Sequence, residues 1–90
     1  MAGNVFIAFQ ANDDTRPIVD AIEQDNPGVD IQYLPAMVKI NSAKPLVINR
    51  ESVEENLGRS WDIQEIHINL ISISGYIDET EDSFTIAWKN

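Results

Sequence analysis

The sequence predicts a single α+β domain of mostly antiparallel strands with two or three short helices, and three observations lead there. The chain has 90 residues, enough for one core and no second, so residues 1–90 are read as one domain. Stretches such as Val29, Ile31 and Tyr33 alternate with polar residues at strand period. Other stretches carry apolar residues at helical spacing between proline, glycine and capping residues.

The first element is Val5-Phe6-Ile7-Ala8-Phe9, short and rich in branched and aromatic residues, which predicts a strand buried on both faces. Asp13, Asp14 and Thr15 then offer caps, and Pro17 suits the first turn of a helix. Ile18, Val19 and Ile22 form its apolar face, and Asn26-Pro27-Gly28 ends it. A half-buried strand follows through Tyr33, interrupted by Pro35, and Met37 to Ile40 is the next. Asn41 to Lys44 reads as a turn and Leu46-Val47-Ile48 as another strand. Asn49 or Ser52 caps a short helix through Leu57 closed by Gly58, and Ser52 with Glu55 has capping-box spacing. Asp62 and Glu65 have the same spacing, so a short helix is expected through about His67, passing into a strand near Ile68. Asp78 to Asp82 is an acidic hairpin tip, and Phe84, Ile86 and Trp88 alternate in the returning strand.

Composition excludes more than it selects. Fifteen acidic residues face six basic ones, for a net charge of −9. Nucleic acid and anionic membranes both require a basic face, so neither is an expected partner. The charge suits either a basic protein surface, through electrostatic steering, or simply the solubility of a small protein. The chain has no cysteine, which fits a reducing cytoplasm. Met1-Ala2-Gly3-Asn4 has no basic opening or apolar run, so no signal peptide is expected. No apolar stretch approaches the roughly 20 residues that span a bilayer. Cytoplasmic localisation is the expectation.

Little catalytic chemistry is available. A serine triad would have to use His67, the one histidine, and no nucleophile-elbow motif occurs. His67 is therefore read as structural. One histidine cannot supply a zinc or iron site, and no Glu-x-x-His pair is present for a di-iron centre. The acids of Asp78 to Asp82 lack the calcium-loop pattern with its central glycine. No catalytic residue, metal ligand or cofactor is expected.

The stretch from Ile68 to Tyr76 is unusual in a positive sense. Alternation separates Ile71, Ile73 and Ile77 from Ser72, Ser74 and Tyr76. If the last two strands pair, Thr85 and Ala87 join the serines. That makes an uncharged face of small residues in a highly charged protein. Such a face is either covered by a helix of the same domain or forms the floor of a docking surface.

A resemblance makes the reading specific. Asn4 to Asn12, followed by Arg16-Pro17-Ile18-Val19, resembles the opening of the regulatory proteins of bacterial multicomponent phenol hydroxylases. So do Met37 to Ile40, Arg50-Glu51 with Glu54-Glu55, and Asn69-Leu70-Ile71 with Gly75. Ile77-Asp78-Glu79 before Phe84-Thr85 completes a match over essentially the whole chain. More distantly the chain is similar to component B of soluble methane monooxygenase, through Leu57-Gly58-Arg59, Trp61 and the Ser72 to Gly75 region.

The resemblance implies a cofactor-free effector protein that binds the hydroxylase component, a di-iron oligomer, near its di-iron centre. It would couple oxygen activation and electron delivery to aromatic hydroxylation, with a reductase in the same system. In the methane system, small polar residues just before the glycine face the hydroxylase. The matching positions here are Asn69, Ile71, Ser72 and Ile73, two of them isoleucines. Face alternation puts Ile71 and Ile73 in the core beneath Phe84 and Ile86. The expected partner-binding residues are therefore Asn69, Ser72 and Ser74, with Ile71 and Ile73 as reserve candidates. The chain opens without the long N-terminal tail of the methane protein, so no tail-dependent regulation is expected. From the residues alone, a small-ligand-binding or sensory α+β domain is the alternative, and an enzyme in its own right ranks third.

Overall fold

The computed structural model describes residues 4–87. The opening Met1 to Gly3 and the place of Trp88 in the last strand lie outside the described residues. Among the described residues seven strands form two sheets, and every pairing within them is antiparallel. The first has order β2-β3-β1-β5, built from β1 (Val5–Gln10), β2 (Asp30–Leu34), β3 (Met37–Ser42) and β5 (Leu70–Ser74). The second has order β4-β7-β6, built from β4 (Leu46–Asn49), β6 (Tyr76–Glu79) and β7 (Ser83–Ala87). Helix α1 (Arg16–Asp25), helix α2 (Arg50–Leu57) and a 3₁₀ helix (Ile63–Ile68) complete the α+β domain.

Val5, Ile7 and Phe9 of β1 share one buried cluster with Ile18, Val19 and Ile22 of α1. Ile40, Leu46, Ile48, Trp61, Ile66, Phe84 and Ile86 belong to the same cluster, so both sheets and α1 close over one core. β1 is central in its sheet, and its expected burial on both faces is met in part. Ala8 is 2% exposed on the side away from α1, whereas Phe6 on that side reaches solvent. The half-buried strand through Tyr33 forms as an edge strand, with Tyr33 left 72% exposed.

The helix ends follow local chemistry in part, and Asn49 stands at the start of α2 without a side-chain cap. Asp62 and Glu65 make the expected capping box: Asp62 Oδ1 accepts from Gln64 N–H at 2.9 Å, and Glu65 Oε2 accepts from Asp62 N–H at 3.0 Å. Gly58, at φ 73°, closes α2. The Ser52–Glu55 box does not form, because α2 already starts at Arg50 and Ser52 lies inside it. The Asp13–Thr15 caps do not form either: α1 has no side-chain cap, and Thr15 is buried at 1% exposure with its Oγ1 donating to the Gln10 carbonyl at 2.7 Å.

Asn26 does more than end α1. Its Nδ2 donates to the carbonyls of Ile22 and Val47, both at 2.8 Å, while its Oδ1 accepts from Val47 N–H at 2.9 Å. The amide thus stands in for a neighbouring strand along the edge of β4. Asn26→Ala strips both backbone groups of Val47 of their partner and is expected to cost about 2 kcal/mol. An unchanged urea midpoint would contradict that role.

Candidate protein-docking face

The four-stranded sheet has one face on the core and one facing outward. Register defines the outer face: Phe6 lies beside Asn41 and Ser74, Ala8 beside Lys39 and Ser72, and Gln10 beside Met37. Asp30, Gln32 and Leu34 continue these rows on β2. All of them except Ala8 reach solvent. Lys39 and Asp30 are the only charged residues in these rows, in a chain whose net charge is −9. The Lys39 ammonium lies 4.4 Å from the centroid of the Phe6 ring, which holds it flat against the sheet.

The edge of this face is β5, and its geometry separates residues that alternation had grouped. Ile73 pairs with Ile7 and packs partly buried against the core. Ser72 pairs with Ala8, but the next partner of β1, Phe9, faces Leu70. Ile71 is therefore the extra residue of a β-bulge, and two residues of β5 span one step of β1. Leu70 packs against the core and Ile71 is turned out, 47% exposed. The expectation that Ile71 lies in the core is thus corrected. Ile73 does face inward as expected, beside Ile7 in the sheet and packed against the core cluster that holds Phe84 and Ile86.

A second correction concerns the extent of the face. β7 pairs with β4 and β6 and not with β5, so Thr85 and Ala87 do not join the serines. Thr85 instead faces Val47 and Asp78. The chain leaves one sheet for the other at Gly75, where φ is 137°.

Asn69, Ser72, Ser74 and Ile71 are brought together at this edge, and Ile73 supports them from below. Asn69 is also tied into the fold. Its carbonyl accepts from Gln10 N–H at 2.8 Å, and its Oδ1 accepts from Asn12 Nδ2 at 3.0 Å. Ala11 N–H donates to the Ala36 carbonyl at 3.0 Å, fastening the β2–β3 turn to the same loop. Sequence reasoning passed over Asn12. Its spacing to Thr15 marks a turn, but its contact with Asn69 joins residues 57 apart in the chain.

Two other polar side chains act within the fold. His67 Nε2 lies 3.0 Å from Glu79 Oε1, and its ring meets Phe84 edge-on at 5.9 Å, pinning the 3₁₀ helix to the second sheet. Arg50 binds Asp82 at 3.1 Å and holds the acidic hairpin tip to α2. Among the described residues no three His, Cys, Asp or Glu side chains converge as a metal site, and no helix is long and apolar enough to cross a membrane. A cleft of about 370 Å³ beside α1 is lined by Asn12, Asp13, Arg16, Asp20, Tyr33 and Val38 among others. Its lining mixes the charged side chains of Asp13, Arg16 and Asp20 with apolar ones.

A neutral, solvent-facing sheet face with an anchored edge is the kind of surface that suits docking to another protein. The chain belongs to the MmoB/DmpM family, whose model matches residues 3–87. It is 52% identical over 90 residues to the phenol 2-monooxygenase stimulatory component DmpM of Pseudomonas sp. (strain CF600), spanning 100% of both chains. A solved phenol hydroxylase–regulatory protein complex contains a chain 52% identical to this one, with a TM-score of 0.92, covering 97% of this chain and 100% of that one. The soluble methane monooxygenase regulatory protein B shares the fold, with a TM-score of 0.75 at 17% identity over 96% of this chain and 65% of that one.

Proposed function

We propose that this chain is the regulatory component of a multicomponent di-iron phenol hydroxylase. The observation that carries the reading is full-length identity of 52% to a phenol 2-monooxygenase stimulatory component. The chain binds the hydroxylase near its di-iron centre, in the cytoplasm, and a reductase delivers the electrons. It acts by binding the oxygen-activating conformation of the hydroxylase better than the resting one. A regulator with equal affinity for both would shift nothing.

The outer face of the four-stranded sheet makes the contact, with Asn69, Ile71, Ser72 and Ser74 along its edge. Supporting this are the near absence of charge on that face and the bulge that turns Ile71 outward. Charge and contact have separate roles. The net charge of −9 accelerates encounter with a basic hydroxylase surface, and the neutral face sets the lifetime of the complex. Binding to immobilised hydroxylase is expected to be saturable, with an association rate that falls several-fold from low to physiological salt while dissociation changes little. Absence of binding would overturn the proposed function, and a salt-independent association rate would remove the steering role.

A further inference from the structure

The hydrogen bonds around Asn12 fix the orientation of an amide at the docking edge. Asn12 Oδ1 accepts from the backbone N–H groups of Asp14 and Thr15, both at 3.0 Å. An amide nitrogen cannot accept those bonds, so the Asn12 oxygen points into its own turn. Its Nδ2 points away from the turn and donates to Asn69 Oδ1 at 3.0 Å. That contact determines the second amide as well. A donor facing Asn69 requires the carbonyl oxygen there, so Asn69 Nδ2 is turned to the other side. The Asn69 backbone is held too, by the bond from Gln10 N–H.

Asn69 Nδ2 has no hydrogen-bond partner among the described residues. No buried side-chain nitrogen or oxygen among them lacks a partner, so this nitrogen meets solvent. It is a donor fixed in orientation at the edge of the neutral face, beside the bulged Ile71.

We propose that Asn12 is a positioning residue for the partner contact: by holding Asn69 Oδ1, it presents Asn69 Nδ2 as a pre-oriented donor to a carbonyl or carboxylate oxygen of the hydroxylase. The inference rests on the reading of this edge as the hydroxylase contact. A free asparagine amide would have to select one flip and one rotamer on binding. Fixing it beforehand is worth roughly tenfold in affinity.

Two variants test the relay through hydroxylase affinity, with thermal melting as the check on folding. Asn69→Asp retains an oxygen for Asn12 Nδ2 and replaces the outward donor with an acceptor. It is expected to melt like the unaltered protein and bind at least tenfold more weakly. Asn12→Asp keeps the acceptor of the turn but sets a carboxylate oxygen against Asn69 Oδ1, so the Asn69 amide flips and presents oxygen outward. Affinity is expected to fall about tenfold in the otherwise unaltered chain, and less than twofold when Asn69 is already alanine. A merely structural role for Asn12, or a long-range effect of the added charge, would give equal losses in both backgrounds and overturn the proposal. Undiminished affinity of Asn69→Asp would also overturn it while leaving the proposed function intact. An unaltered protein that does not bind the hydroxylase would instead overturn the function, and the relay with it.

Discussion

Gly75→Ala is expected to lower the stability of the domain by about 3 kcal/mol or more, combining backbone strain with overpacking. The backbone at Gly75 has φ 137°, a conformation side chains with a Cβ rarely adopt. A Cβ there would lie 2.5 Å from Ile86 Cγ2 and 3.0 Å from Val5 Cγ1. Both neighbours are fully buried, one in each sheet, so neither can swing aside into solvent. The Ala87 carbonyl at 3.3 Å closes the third side. Against a total stability of roughly 5–15 kcal/mol for a domain of this kind, such a loss removes a large share. Urea denaturation of the variant measures it, and a loss below about 1 kcal/mol would contradict the tight passage between the sheets.

Ser72→Arg is expected to weaken binding to the hydroxylase about thirty-fold, or about 2 kcal/mol, while leaving the fold intact. Ser72 is exposed and lies beside Ala8, which presents almost no surface of its own. An arginine here would put a long cationic side chain on the face that carries Lys39 as its one cation. Stability should change by no more than about 0.5 kcal/mol, because the site is on the surface. Faster dissociation of a folded variant therefore reports on the contact, because charge steering acts on association. Undiminished affinity would remove Ser72 from the interface and move the contact elsewhere on the domain.

Local chemistry was legible in the sequence wherever neighbours in the chain decide the outcome. The strand at Val5 to Phe9, the helix opened by Pro17 and the Asp62–Glu65 capping box all depend on residues a few positions apart. What was not legible depends on pairing over long sequence distances. Alternation alone groups Ile71 with Ile73, because it assumes an unbroken pleat. The bulge that separates them exists only because β5 pairs with β1, more than 60 residues earlier in the chain. The same choice of partner excludes Thr85 and Ala87 from the neutral face. Ser52 shows the opposite failure: its spacing to Glu55 is correct, yet helix α2 begins before it, at Arg50. Asn12 is a third kind of case, since its turn is local but the role of its amide appears only when Asn69 folds against it.

The residues expected at the contact fared according to how far they depend on that pairing. Ser72 and Ser74 lie on the outer face as alternation suggested, since both pair with outward residues of β1. Ile71 changes side and becomes a candidate anchor, because an exposed branched side chain beside small polar residues can fill a recess in a partner. Ile73 becomes support, holding the edge against Ile7.

The most direct test of the regulatory role is turnover. Hydroxylase and reductase are held constant, this protein is titrated in, and phenol hydroxylation is measured against reductant and oxygen consumed. The account predicts a rate that rises steeply and saturates as the protein is added, with a larger fraction of reductant ending in hydroxylated product. A rate and coupling that stay unchanged across the titration would contradict it.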